Sequence, residues 1–199
     1  MNQHVERFEQ LIAEFYGAPY AVAVDCCTHA IELCLRLTKP KHVLCPTRTY
    51  LSVPMTFKKL DIDWDFVDYD WNNFYFIGNT NIVDAAVYWE RKGYIPNTMM
   101  CLSFQHKKHL SLGRGGMILL DNLTQYNELK KMRYDGRLDD IPWKDQDIDS
   151  FGYHYYMTPE TAEKGIFKFC TAEVAEPKLW SDKDYPDISK MKIFNAQQK

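Results

Sequence analysis

The chain has 199 residues, with 24 Lys and Arg against 27 Asp and Glu and a net charge of −3. That balance excludes the basic footprint of a general nucleic-acid binder. A hydrophobic fraction of 46% with 15% aromatics excludes global disorder and allows a sizeable core, and the length suits one large domain or one domain with a short appendage.

In chain order, "QHVERFEQLIAEFY" at 3–16 places Val5, Phe8, Leu11, Ile12 and Phe15 on one helical face, and Gly17 can end that helix. "YAVAVD" (20–25) is a continuous apolar run, as in a strand covered on both faces. Helical spacing returns in "THAIELCLRLTK" (28–39), and "HVLCPT" (42–47) reads as a second buried strand. "LSVPMTFKKL" (51–60) is a helix in which Pro54 costs least within the first turn. "DWDFVDYD" (63–70), "NIVDAA" (81–86), "MMCLSF" (99–104) and "GGMILLDN" (115–122) follow as strands. "LTQYNELKKMRYD" (123–135) is a helix with Asp121 or Asn122 as its cap, and "TPETAEKGIFKF" (158–169) is a helix with Thr158 as N-cap and Pro159 in first position. Strand–helix alternation implies a three-layer α/β fold, a mostly parallel sheet with helices on both faces. The expected organisation is one α/β domain over 1–171 and an arm or tail over 172–199.

The six cysteines show neither disulfide-scaffold density nor a CxxC pair, and their apolar neighbours suggest reduced, buried thiols in a cytoplasmic protein. No apolar run reads as a signal peptide or is long enough to span a membrane.

In such a sheet, ligands bind where strands end and helices begin. "VDCCTHA", "PTRTY", "VDAA" and "SFQHKK" stand at those junctions. Asp84 is either a helix cap or a carboxylate for a cationic ring nitrogen, with two alanines leaving room for a flat ligand. Thr28 and Ser103 are local caps or phosphate holders. Tyr50 is a rim aromatic or a stacking partner for a ring. Lys107 and Lys108 are adjacent, so one can enter a cleft while the other stays solvated. His106 and His109, without a nearby carboxylate or cysteine pair, are poor metal ligands, and no metal is expected. A lysine, an aspartate, an aromatic and phosphate-holding hydroxyls together meet the requirements of pyridoxal phosphate chemistry.

Five motifs carry a resemblance. "RFEQLIAEFYGAPYAVAVDCCTHAIELCLRL", "VLCPTRTYLSVPMTFKKLDIDWDFVDYD", "IVDAA", "LSFQHKKHLSLGRGGMILLDN" and the pair "MRYDGR" with "GYHYYMTPETAEKGI" resemble, in order, successive segments of the DegT/DnrJ-type sugar aminotransferases, pyridoxal-phosphate enzymes of fold type I. The resemblance runs from about Phe8 to Ile166. It implies that Lys108 is the Schiff-base lysine, that Asp84 pairs with the ring nitrogen and that Tyr50 stacks on the ring. Thr28, Ser103 and the backbone near Cys27 then hold the phosphate. It further implies the cofactor pyridoxal 5′-phosphate, an amino donor, a nucleotide-linked keto-sugar acceptor, and a homodimer with shared sites. "GYHYY" would lie at the dimer interface, with His154 where the family reaches the partner's phosphate and with Tyr153, Tyr155, Tyr156 and Trp89 needing cover. The sequence departs from the family at Cys27, His29, Val87, His154 and Tyr156. The stretch between Asp70 and Asp84 is too short for the family's strand and helix, and little chain stands where the family's C-terminal domain follows. The alternative functions are a related dehydratase or epimerase, or a degenerate homologue acting as a binding or assembly module.

Overall fold

The computed structural model of the protein describes residues 3–139 and 141–195. Helix α1 (Gln3–Tyr16) buries the expected apolar stripe, with Phe8 and Ile12 fully covered. It leads to β1 (Tyr20–Val24), α2 (Cys27–Thr38), β2 (His42–Pro46), α3 (Ser52–Lys59) and β3 (Asp63–Val67). Two short strands, β4 (Tyr75–Phe76) and β5 (Ile82–Asp84), precede β6 (Met99–Ser103) and β7 (Gly116–Leu120). The remaining helices are α4 (Leu123–Met132), α5 (Pro159–Val174) and the single turn α6 (Lys192–Asn195). Asn122 caps α4 by accepting the Gln125 N–H, whereas Asp121 accepts the Asn97 N–H. Thr158 caps α5, Pro159 opens it, and Pro54 falls in the first turn of α3.

The main sheet has the order β1-β7-β6-β5-β4, and β2 and β3 form a second, parallel pair. Paired backbone hydrogen bonds of 3.1 and 2.9 Å between Leu44 and Gly78 join the two. β5 and β6 are parallel, β7 is antiparallel to β6, and β1 is antiparallel to β7. β1, β5 and β6 therefore share a direction, which the antiparallel Leu44–Gly78 bridge extends to β2 and β3. Only β4 and β7 run against the others. Most strands thus share one direction, as the alternation implied, although three of the four pairings in the main sheet are antiparallel because β7 and β4 are inserted against it, and β4, two residues long, stands where the sequence is too short for a full strand and helix.

Strand residues alternate between two cores, as period-two side chains must. Ala21, Ala23, Met100, Leu102, Met117 and Leu119 face α1 and α5. Val22, Val24, Met99, Cys101, Ile118 and Leu120 face α2, α3 and α4. A buried ion pair ties the layers together: Arg133 donates to Glu9 Oε1 (2.5 Å) and to the Ala23 carbonyl (2.6 Å), and Glu9 Oε1 also accepts the Ala23 N–H.

Three expectations need correction. Trp89 is buried, stacked on Phe15 at 4.6 Å, and Tyr155 stacks on His29 at 3.6 Å, so the chain covers these rings itself. The thiols are not uniformly buried, because Cys170 is exposed and Cys26 half-buried. The arm or tail expected over 172–199 begins as helix: α5 continues to Val174, and the chain then returns across the sheet end. Asn73 donates its N–H to the Trp180 carbonyl (2.8 Å), Asp182 to that of Trp71 (3.1 Å) and Ile188 to that of Thr47 (2.8 Å), and the Ile188 side chain is fully buried. Among the described residues no helix is long and apolar enough to cross a membrane.

Candidate active site

The strand ends converge. β1 delivers Cys27 and Thr28 at the start of α2, β5 ends in Asp84, β6 ends in Ser103, and the turn after β6 carries Lys108. With Tyr50 from the loop after β2, all six line one cavity of about 370 Å³. Residues distant in sequence meet there because the shared strand direction brings their C-terminal ends to one edge of the sheet. His154 lies outside this cavity. It is exposed and holds Asp135 through Nδ1 at 2.9 Å.

Asp84 is buried, and both carboxylate oxygens are engaged. Oδ1 accepts the Ala86 N–H (3.0 Å), and Oδ2 accepts the Tyr75 hydroxyl (2.5 Å). The Tyr75 oxygen is also 2.5 Å from Thr49 Oγ1, so Thr49, Tyr75 and Asp84 form a buried hydrogen-bonded chain. Burial raises the Asp84 pKa above the ordinary carboxylate value. The Tyr75 and Ala86 donors and the Lys108 charge oppose the rise without cancelling it.

Lys107 is exposed and Lys108 half-buried, so the adjacent pair divides as their opposed directions require. Desolvation lowers the Lys108 pKa, against the pull of Cys27 and Asp84 and with help from the neighbouring Lys107 charge. Its Nζ lies 5.5 Å from the ring centre of Trp180. Tyr50 stands at the mouth, 61% exposed, its ring free to cover a ligand. Thr28 Oγ1 is 2.8 Å from Ser52 Oγ, which fixes that hydroxyl at the N-terminal turn of α2. Gly116 lets β7 pass beneath that turn: a Cβ there would lie 2.5 Å from the Cys26 carbonyl carbon and 2.6 Å from the Cys27 nitrogen.

Sequence reasoning missed several lining residues. Tyr75 and Thr49 hold Asp84. Trp71 and Tyr185, their rings tilted at 47° with centres 5.4 Å apart, form one wall to which the returning C-terminal segment contributes Tyr185, and Arg114 lies beside the α2 end. The glycine-rich "LGRGG" is a signal that could have found Arg114, but nothing in the sequence around Tyr185 signals a cavity wall.

The DegT/DnrJ/EryC1/StrS aminotransferase family model matches residues 1–97 and 90–173. The chain belongs to this family. Among solved structures it is similar to AtS13 from Actinomadura melliaura, at 20% identity and a TM-score of 0.76, over 87% of this chain and 61% of that one. It is also similar to the sugar aminotransferase CalS13 from Micromonospora echinospora, at 16% identity and 0.71, over 86% and 61%. A third is the aminotransferase from Psychrobacter cryohalolentis, at 16% identity and 0.69, over 85% and 56%. The fold is therefore that of fold type I enzymes, and this chain spans about three fifths of the length of these structures. No curated protein matches it in sequence.

Proposed function

We propose that this family member holds pyridoxal 5′-phosphate in the cavity at the sheet edge and transfers an amino group to a keto-sugar. The observation that carries the reading is the meeting of Lys108, Asp84 and the first turn of α2 around one cavity of about 370 Å³. The residues fit the group. Among the described residues the buried Asp84 carboxylate has no cationic partner in hydrogen-bond contact, and a protonated ring nitrogen would supply one. The N-terminal turn of a helix favours a phosphate dianion, and Thr28 and Ser103 add hydroxyls. Tyr50 offers a ring face at the mouth.

When bound, the cofactor supplies an electron sink for charge developing on the substrate carbon. Lys108 supplies the base. Its lowered pKa means that less free energy is spent removing its proton, so the neutral amine can take and return a proton within the cavity. Thr49 and Tyr75 keep Asp84 oriented toward the cavity. Trp71, together with Tyr185 from the C-terminal segment, excludes water from one wall. Dimeric assembly belongs to the same proposal, with His154 facing a second copy, and light scattering that finds only monomer would remove that part.

The direct test adds pyridoxal phosphate to the full chain, reduces with borohydride and maps the labelled peptide. The expected label is on Lys108, with none on Lys108→Ala; a label on Lys107 refutes the assignment. One observation favours a second reading, a cofactor-binding module without turnover: Val87 lines the cavity with an apolar side chain where the family places a polar one. A labelled Lys108 in a protein that converts no amino donor would select it.

A further inference from the structure

A second, smaller cavity of about 120 Å³ adjoins the first. The two share Ala86, Val87, Ser103 and Lys108, so Lys108 stands on the wall between them. The turn after β6 also brings Lys107 to this smaller cavity, and the returning C-terminal segment brings Lys178 and Trp180. Asn73 fixes Trp180 through two hydrogen bonds: it donates its N–H to the Trp180 carbonyl (2.8 Å) and accepts the Trp180 N–H on Oδ1 (3.0 Å). Lys178 Nζ lies 3.7 Å from the centre of the Trp180 ring, and Lys108 Nζ lies 5.5 Å from it. One anchored indole thus attracts two amines to the same place.

The charge there is one-sided. Three lysines line the cavity and, among the described residues, no carboxylate does. Asp184 pairs with Lys178 at 3.0 Å from outside the lining. An ammonium has three donors, so that pairing leaves Lys178 able to hold a further acceptor. Trp89 also lines the cavity, and its buried Nε1–H has no acceptor among the described residues. Buried N–H groups are nearly always paired, so an unpaired one beside a cationic cavity points to an oxygen that the chain itself does not supply.

We propose that this cavity is the seat of a compact oxyanion, a carboxylate or a phosphate, carried by the substrate that reacts beside Lys108. Pockets for whole drug-sized ligands run from about 300 Å³ upward, so this one takes a group of a few atoms and not a nucleoside. Lys107 and Lys178 supply the charge-assisted hydrogen bonds, and the Trp89 N–H supplies a neutral one. Lys108 remains the reacting amine at the boundary. The seat therefore selects substrates that carry a negative group next to the reacting carbon and leaves neutral amines and ketones unheld. That selection rests on the proposed function, whereas the binding of the anion does not.

The test uses the full, cofactor-free chain acetylated with N-hydroxysuccinimidyl acetate and read peptide by peptide. Succinate or inorganic phosphate, each at twice its Kd and at constant ionic strength, should slow Lys107 and Lys178 about threefold while Lys39 and Lys58 keep their rates. The indole N–H signal of Trp89, assigned by its loss in Trp89→Phe, should move downfield on the same addition. Protection by succinate alone assigns the seat to the carboxylate of an amino donor, and protection by phosphate alone to the phosphate of the ketone substrate. Lys178→Met should abolish the protection of Lys107. Protection by neither anion, equal protection of Lys39, an unmoved Trp89 signal, or Lys107 protection indifferent to Lys178→Met overturns the proposal. Borohydride labelling of Lys108 in the presence of pyridoxal phosphate separates the two claims. Protection without that label keeps the seat and removes the proposed function, and the label without protection does the reverse.

Discussion

Replacing Tyr75 by Phe removes one oxygen and leaves the ring against Trp71, 5.2 Å away between centres. That oxygen donates to Asp84 at 2.5 Å and meets Thr49 Oγ1 at 2.5 Å. A hydrogen bond between neutral groups contributes about 1 kcal/mol and one to a charged group about 1.5–3 kcal/mol. The excess tied to the charge of Asp84 is therefore about 1–2 kcal/mol, or about one pK unit. The folded pKa of Asp84 already stands above its unfolded value through burial. Between those two values the folded state holds a proton that the unfolded state has released, so stability falls as pH rises through that window. Without Tyr75 the folded pKa rises further and the window widens upward. Urea unfolding across pH 4.5–8 should show Tyr75→Phe costing about 1 kcal/mol at the acid end and about 2–3 kcal/mol at the neutral end. In an Asp84→Asn background the pH dependence of that cost should vanish. A cost that is flat with pH, or that keeps its slope after Asp84→Asn, would show that Tyr75 only packs.

Arg133→Met should lower stability by about 3 kcal/mol in denaturant unfolding, because it removes the buried cation on Glu9 Oε1 and leaves the carboxylate with Lys130, 3.3 Å from Oε2. Adding Glu9→Gln should recover part of that loss, and strictly additive costs would contradict the pairing. Gly116→Ala should cost about 1–3 kcal/mol, since its methyl meets backbone atoms of Cys26 and Cys27 that have no free end to yield. A change within about 0.5 kcal/mol would mean that the first turn of α2 moves freely.

The sequence made the repetitive parts of this molecule legible. Helix α1 was visible because five apolar residues fall at helical spacing, and β1, β6 and β7 because buried strands read as unbroken apolar runs. Asn122, Thr158 and Pro159 act locally, so the helix starts could be read from them. The places of Asp84, Ser103 and Lys108 were legible because the first two end apolar strands and the third follows one closely. β4 was not, since two residues carry no period, and Tyr75 was lost with it. The role of Trp180 and Tyr185 depends on hydrogen bonds to Trp71 and Asn73, more than 100 positions away in the case of Trp180, and no local pattern encodes such a pairing. Trp89 was expected to need cover from a second copy, although Phe15, Tyr16 and Phe169 enclose it.

The returning C-terminal segment also sets an order of events during synthesis. Every other residue that lines the cavity precedes Tyr185 in the chain. A ribosome that has released residues through the end of α5 holds a chain in which the strands, Lys108 and Asp84 can already be assembled. The carbonyls of Thr47 and Trp71 still lack the donors that Ile188 and Asp182 bring. Domains form from the N-terminal side as they emerge, so this wall is the last to close, and until it does the nascent cavity lies open to water and to any small molecule nearby.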